Sequence, residues 1–396
     1  MNGGRLAETA LQRRLHGQTA LILTCCLLAF ASSAPRALVG VYQRQLLNAF
    51  DVSGDFATNW QAAQTLAWAL SAPLAGALAD RFGGLRIAAC GAFLAAACIG
   101  ALAISTEPGM LLASAGIALG AGLSALAFPA ALQPLAQIQS GRSQAFGLAA
   151  GAAGLGLFIF TPLAFAIVGL MGWRASVLCF SLGLTICGTV AARAGKRACG
   201  KPTRQRTALA LRGYLALLAI TALTGFIFAF VSQRFQKYAF DAELAANTGA
   251  ILLVAFCTAN IFGAVGGGLL LERMQPGRVL ALTAAARLAL MVCLISIPAG
   301  TASVFAVATL HGLSWLSIWA PTAALILAWF GSQNVGIRLG VCVCAFQFGG
   351  LAGGFAHLYF GASLALWWAL TMLSAIAIAV IATFSSEKLT PRPESP

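Results

Sequence analysis

The sequence predicts an all-α integral membrane protein with 12 transmembrane helices in two groups of six. Three observations predict this class. First, 60% of the 396 residues are hydrophobic and only 9% are charged. Second, apolar runs of about 20 residues, the length that a membrane helix needs, recur along the chain. Third, the longest polar interruption, residues 193–212, falls near the middle. A water-soluble protein does not have this composition.

The hydropathy pattern places six spans before the central interruption and six after it. In chain order we predict spans 1 to 6 at 19–46, 57–79, 87–105, 109–136, 144–170 and 175–193, and spans 7 to 12 at 212–236, 247–271, 279–297, 302–329, 339–361 and 364–384. The predicted units are therefore an N-terminal segment (1–18), an N-terminal six-helix bundle (19–193), a basic linker (194–211), a C-terminal six-helix bundle (212–384) and a C-terminal tail (385–396).

Charged residues mark the turns between successive spans. All ten acidic residues fall in termini, loops or span ends. An even number of spans puts both termini on one side, and that side receives most of the basic residues, including Arg81, Arg86, Arg142 and the run from Arg193 to Arg212. Because basic loops resist translocation, we predict that both termini are cytoplasmic. The net charge of +14 is then a topological signal and predicts no nucleic-acid partner.

The two halves repeat one another at an offset of roughly 192 to 196 residues. The set Gly76, Asp80 and Arg81 has a weaker copy in Gly268, Glu272 and Arg273. Further matches pair Gly116 and Pro129 with Gly312 and Pro321, and Gly147 with Gly340. Several matches at one offset favour a duplicated six-helix unit.

The turn between spans 2 and 3, GALADRFGGLR at 76–86, is similar to the signature of the major facilitator superfamily of secondary transporters. Gly76, Asp80, Arg81 and Gly83 match in register, whereas Gly84 and Leu85 replace the usual basic pair and Arg86 supplies one charge. Within that superfamily, residues 39–86 and 143–176 most resemble monocarboxylate porters and oxalate/formate-type exchangers. The resemblance implies the major facilitator fold and transport by alternating access.

The motif at 76–86 has two interpretations. The Asp80 carboxylate can pair with a basic residue or cap a helix N-terminus of the other bundle, which would hold the cytoplasmic side closed. Alternatively, Arg81 and Arg86 only anchor a short loop on the cytoplasmic side. We expect the gating role.

Two basic residues lie inside predicted spans, Arg36 in span 1 and Arg287 in span 9. A charge in the bilayer core costs about 3 kcal/mol or more, so each needs an explanation. We expect Arg36, which follows Pro35 much as a lysine follows proline in the monocarboxylate porters, to bind a substrate carboxylate. The alternative is a structural arginine bonded to span carbonyls. For Arg287 we expect snorkelling to the cytoplasmic edge.

Polar and aromatic residues in spans expected near the cavity complete the candidate substrate site. His311, Trp315 and Trp319 follow one another at helical spacing in span 10, which predicts one face bearing a titratable ring and two indoles. The remaining candidates are Tyr42, Gln133, Asn260 and Gln347. Each of these polar residues is alternatively an interhelical hydrogen-bonding group, and the two tryptophans are alternatively packing residues.

The sequence therefore predicts a transporter of a small organic anion, with a monocarboxylate as the expected substrate. We expect no enzymatic activity, cofactor or metal ion, since no phosphate-binding loop or metal-ligand spacing occurs; Cys342 and Cys344 point to different faces of a helix. The expected partners are the substrate and the lipid bilayer, the expected state is a monomer, and the expected location is a bacterial inner membrane. Rival readings are an exporter of neutral or aromatic compounds, a metal carrier, and a non-transporting sensor or assembly factor.

Overall fold

The computed structural model describes residues 2–138, 141–195, 210–241, 248–298, 300–360 and 363–386. These residues form helices and contain no β-strand. In the first half the α-helices are Asn2–Ala31, Ala34–Phe50, Gly54–Phe82, Gly84–Ile104, Pro108–Leu111, Leu119–Leu126, Phe128–Leu132 and Arg142–Ala194. In the second half they are Ala210–Asp241, Thr248–Leu270, Pro276–Ser296, Thr301–Leu313, Trp319–Phe330, Val335–Phe360 and Leu364–Ser386.

The helices of the described residues are long and apolar enough for twelve membrane crossings. By length and composition, 11 helical stretches of the described residues are able to span a bilayer, and one of them, Arg142–Ala194, is 53 residues long. This stretch bends at Gly172, whose φ of 79° and ψ of 167° lie outside the helical region. Because one crossing takes about 20 residues, the stretch contains spans 5 and 6. The predicted fold class is confirmed.

Span 1 is broken near its middle, where the sequence predicted a continuous helix. Asn2–Ala31 ends at two serines and Ala34–Phe50 begins with proline in its first turn. The Ser33 hydroxyl donates to the Ala153 carbonyl of span 5 at 2.6 Å. This bond links the interruption of span 1 to span 5.

Spans 4 and 10 are also broken, at corresponding places in the two halves. Span 4 contains a π-helical turn, Leu112–Ala118, and leaves helical geometry at Ala127. Span 10 stops at Leu313, passes through the 3₁₀ turn Leu316–Ile318 and restarts at Trp319. Pro129 and Pro321 lie in the first turns of the restarted helices, where proline is favoured.

Two pairs of spans make the most extensive contacts between the halves among the described residues, span 2 with span 11 and span 5 with span 8. Glycines permit close approach at both contacts. A Cβ atom added to Gly76 would lie 2.1 Å from the Gly336 carbonyl oxygen, and one added to Gly147 would lie 2.7 Å from the Gly268 Cα. The two contacts are equivalent under the repeat seen in the sequence, because span 2 corresponds to span 8 and span 11 corresponds to span 5.

Two of the predicted units lie largely outside the described residues. They are the basic linker, at residues 196–209, and the C-terminal tail, at residues 387–396. The limits of the two bundles, and the cytoplasmic placement of the termini, stay predictions.

Candidate functional site

A cavity of about 430 Å³ lies between the two halves. Its polar and aromatic lining comes from spans 1 and 2 in the first half and spans 7, 10 and 11 in the second. These residues are Arg36, Thr58, Gln61, Gln64, Thr65, Trp68, Phe228, Gln233, Trp315, Trp319, Phe346, Gln347 and Phe355. Its size is within the range of small-molecule sites.

The cavity lies toward the membrane side opposite the 76–86 turn. Its lining includes Thr58, near the start of Gly54–Phe82, and Leu358, near the end of Val335–Phe360. Asp80 lies 22 residues after Thr58 in the same helix, or about 33 Å along the helix axis. At that end the packed glycines of spans 2 and 11 hold the halves together. The conformation is closed on the Asp80 side.

Arg36 is the only charged side chain that lines the cavity among the described residues. It lies in the first turn after the break in span 1, and its Nη2 donates to the Ser33 hydroxyl at 3.0 Å. Its Nε is buried and has no hydrogen-bond partner in the described part of the chain. The guanidinium carbon lies 5.8 Å from the ring centre of Trp68 and 5.7 Å from that of Trp315. One cation thus contacts indoles of both halves.

Aromatic rings form the second-half wall beside Arg36. Trp315 stacks on Phe228 with ring centres 4.7 Å apart, and Trp319 contacts Phe346 at 5.6 Å. Gln347 lines the same wall. Of the eight predicted substrate-site residues, Arg36, Trp315, Trp319 and Gln347 therefore lie at the cavity.

His311 does not line the cavity, although it shares the ring neighbours Phe228 and Phe256 with Trp315. The predicted common face of His311, Trp315 and Trp319 required a continuous helix, whereas span 10 is interrupted after Leu313. His311 is 5% exposed, its Nε2 hydrogen-bonds the Ser232 hydroxyl at 2.9 Å, and its ring stacks on Phe228. It therefore lies behind the aromatic wall.

Arg287 does not snorkel to the membrane edge, which corrects the expectation from the sequence. The residue is 6% exposed. Its Nη1 donates to the Thr224 hydroxyl at 2.9 Å and its Nη2 to the Ser314 carbonyl at 3.3 Å. The break in span 10 supplies this carbonyl, which a continuous helix would have used itself.

The other three predicted site residues also lie outside the cavity and bond to neighbouring helices. The Tyr42 hydroxyl hydrogen-bonds Ser176 of span 6. The Gln133 Oε1 accepts from the Gly84 backbone N–H at 3.2 Å, and the Asn260 Oδ1 accepts from the Leu316 N–H at 3.1 Å. These are the interhelical bonds that the sequence left as the alternative.

Sequence reasoning missed the polar stripe of span 2. Thr58, Gln61, Thr65 and Trp68 all line the cavity. They recur at intervals of three and four residues, which places them on one helix face. This spacing of polar residues inside an otherwise apolar span is the signal in the sequence that could have identified them.

Asp80 contacts the N-terminus of span 11. Its Oδ1 accepts from the Gly336 N–H and its Oδ2 from the Ile337 N–H, each at 2.9 Å. Both amides belong to the first turn of Val335–Phe360, where backbone N–H groups lack helical partners and the helix dipole favours an anion. The carboxylate thus bridges the two halves.

Arg81, Gly83 and Arg86 form no such hydrogen-bonded bridge to the other half within the described residues. Arg81 and Arg86 are exposed, and the Arg81 guanidinium carbon lies 5.1 Å from its neighbour Phe82. Gly83 adopts a φ of 96°, which favours glycine, at the end of span 2. In the second copy, the helix of span 8 ends at Leu270, two residues before the exposed Glu272 and three before the exposed Arg273.

Removal of the Asp80 carboxylate is expected to expose the two amides that it caps. Hydrogen bonds to a charged group contribute about 1.5–3 kcal/mol each. In Asp80→Ala, hydrogen exchange at Gly336 and Ile337 should therefore accelerate at least about tenfold. Mass spectrometry of peptides covering 333–340 measures the exchange, and Glu272→Ala is the matched control. Unchanged protection in Asp80→Ala would show that the cap does not hold the halves together.

The comparisons with known proteins agree with this architecture. The family model described as "Major Facilitator Superfamily" matches residues 22–315. No curated protein sequence is detectably similar to the chain. The solved structures that share its fold include three transporters. The transporter FucP, an E. coli fucose:proton symporter, in the outward conformation has a TM-score of 0.66 at 16% identity, covering 93% of this chain and 99% of its own.

The other two structures are as similar. The proton:xylose symporter XylE has a TM-score of 0.70 at 12% identity, with 93% of this chain and 96% of that chain covered. The human organic anion transporter MFSD10 has a TM-score of 0.67 at 17% identity, with 91% and 97% covered. At these identities the similarity concerns the fold.

Proposed function

The chain belongs to the major facilitator superfamily, and from this premise we propose that it carries a small organic anion, with monocarboxylates as the expected class. The observation that carries the proposal is Arg36, a cation at the cavity wall with a buried Nε that has no partner among the described residues. No Asp or Glu of the described chain lines the cavity to neutralise it.

The chemistry of Arg36 fits a carboxylate. A cation held inside a membrane is costly unless something compensates its charge. A planar guanidinium donates two parallel N–H bonds to a carboxylate, which gives both energy and orientation. The cavity would hold about fourteen waters at roughly 30 Å³ each, so it has room for an anion together with solvent.

Alternating access supplies the transport step. With the termini in the cytoplasm, as the positions of the basic residues favour, the Asp80 end is cytoplasmic and the cavity faces outward. An anion that binds Arg36 there lies between Trp68 of one half and Trp315 of the other. Transport then requires the contact of span 2 with span 11 to open while the opposite side closes.

A second candidate is the transport of a neutral or aromatic compound on the same fold. The observation that favours it is the set of aromatic residues that line the cavity: Trp68, Phe228, Trp315, Trp319, Phe346 and Phe355. In that case the rings would supply the main binding surface and Arg36 would contribute little. The two candidates differ in whether the ligand needs a negative charge.

A thermal-shift panel of carboxylic acids and their uncharged amides tests the proposal. The acids are acetate to octanoate, lactate, pyruvate and benzoate, each paired with its amide. A ligand present at 100 times its Kd stabilises the folded protein by about 2.7 kcal/mol. We expect at least one acid to raise Tm and its amide not to. Equal stabilisation by benzoate and benzamide would support the aromatic candidate, and no stabilisation by any acid would contradict the anion proposal.

A further inference from the structure

Trp315 occupies the interruption of span 10, and side chains from two other spans hold the backbone on either side of it. The Ser314 carbonyl, one residue before, accepts from Arg287 Nη2 of span 9 at 3.3 Å. The Leu316 N–H, one residue after, donates to Asn260 Oδ1 of span 8 at 3.1 Å. The indole therefore projects from a backbone segment that is fixed at both ends.

The two bonds replace backbone hydrogen bonds that the interrupted helix cannot form. A helix that ends at Leu313 leaves carbonyl groups without internal partners, and the resumed chain has free N–H groups. A cation near a helix C-terminus also interacts favourably with the helix dipole. The second contact of Arg287, with the Thr224 hydroxyl of span 7, orients its guanidinium. Buried groups of this kind are stable only when they are hydrogen-bonded.

The ring of Trp315 is held as well as its backbone. Phe228 stacks on Trp315 at 4.7 Å with an interplanar angle of 15°, and on His311 at 5.0 Å with an angle of 19°. His311 in turn bonds the Ser232 hydroxyl at 2.9 Å. His311, Phe228 and Trp315 thus form a continuous stack that leads to the guanidinium of Arg36.

We propose that Arg287 and Asn260 are positioning residues for Trp315, and that they act on the Arg36 site although neither lines the cavity. Their side chains fix the interruption of span 10 so that the indole lies 5.7 Å from the guanidinium carbon of Arg36. The effect on ligand binding rests on the proposed function. The placement of the indole does not.

This role predicts a specific pattern of coupling. Loss of the Arg287–Ser314 bond or of the Asn260–Leu316 bond should displace Trp315 while the rest of the fold stays in place. For binding, Arg287→Gln should weaken the affinity for the carboxylate found in the panel, and this effect should shrink at least twofold when Trp315 is already alanine. Residues that act through one another show such non-additivity, whereas independent structural effects add.

Fluorine NMR of protein labelled with 5-fluorotryptophan tests the placement without any ligand. The chain has eight tryptophans, and Trp315→Phe assigns the signal of interest. In Arg287→Gln and in Asn260→Ala we expect the Trp315 resonance to shift by more than its linewidth. The resonances of Trp60, Trp173 and Trp367 should not move, which shows that the protein is folded.

Two further variants control the experiment. Thr283 lies one turn from Arg287 on span 9, and its hydroxyl donates to the Leu280 carbonyl of the same helix. Thr283→Val removes only this bond, so the Trp315 resonance should not shift. Asn260→Asp retains the acceptor oxygen and should restore the wild-type position. If Arg287→Gln does not fold, Asn260→Ala decides the matter alone. A Trp315 resonance unchanged in the folded variants, or shifted equally in Thr283→Val, would overturn the proposal. Failure of the anion function would appear in the ligand panel instead.

Discussion

Replacement of Arg36 by glutamine is expected to weaken carboxylate binding and uptake severely. Glutamine retains a polar amide but loses the charge and the two parallel N–H donors. Truncation of one partner in a buried, hydrogen-bonded charge pair costs about 2–5 kcal/mol, which corresponds to a loss of affinity of about thirtyfold or more. Arg36→Lys should recover only part of the affinity, because an ammonium group cannot reproduce the planar fork. Uptake of the labelled acid into proteoliposomes measures the effect.

The matched control for this prediction is Arg174→Gln. Arg174 is exposed, lies against its own neighbour Trp173 with 4.5 Å between its guanidinium carbon and the ring centre, and does not line the cavity. This variant loses the same formal charge, so the two variants have the same net charge. Wild-type uptake in Arg36→Gln would refute the assignment of the anion site, whatever the substrate proves to be.

The second large effect is expected from Gly76→Ala. The added methyl carbon would lie 2.1 Å from the Gly336 carbonyl oxygen, much closer than the contact distance of about 3.5 Å or more between non-bonded heavy atoms. Since the obstacle is backbone, spans 2 and 11 must separate. We therefore expect the closed Asp80 end to become unfavourable and transport to fall at least tenfold, because one of the two alternating states is lost.

Spin labels at residues 193 and 278, in a cysteine-free background, report the separation directly. Both side chains are exposed, at the end of span 6 and the start of span 9, on the Asp80 side of opposite halves. The distance distribution should lengthen in Gly76→Ala. Gly266→Ala is the control, since no atom lies within 4 Å of its added methyl carbon. Identical distances and transport in both variants would show that the glycine contact does not limit closure.

Much of the fold was predictable because a bilayer imposes simple rules. Span length, the charged turns and the midpoint linker follow from the cost of polar groups in hydrocarbon, and those signals are local in sequence. The motif at 76–86 predicted either a basic residue or a helix N-terminus as the partner of Asp80. In the structure Asp80 binds a helix N-terminus, at Gly336 and Ile337. Sequence alone could not choose, because the partner lies 256 residues away.

The candidate site was only partly predictable, for a different physical reason. Hydropathy reports the environment of side chains and is insensitive to interruptions of backbone helicity such as those at Ser33, Ala127 and Ser314. The interruption of span 10 exposes the Ser314 carbonyl that binds Arg287. Trp315 lines the cavity, whereas His311, which stacks on the same Phe228 ring, does not. Arg36 was recognisable because a charge inside a span is rare, whereas Asn260 and Gln133 resemble substrate-binding amides until their backbone partners are known.

The most direct test of the central claim, that Arg36 binds the negative charge of the substrate, is a calorimetric comparison of one acid with its isosteric amide. The acid is the tightest ligand of the carboxylate panel, and the two compounds are titrated into wild-type protein and into Arg36→Gln. We predict that the wild type prefers the acid by about thirtyfold or more, and that the preference disappears in the variant because only the acid loses affinity. An equal preference in both proteins would contradict the account.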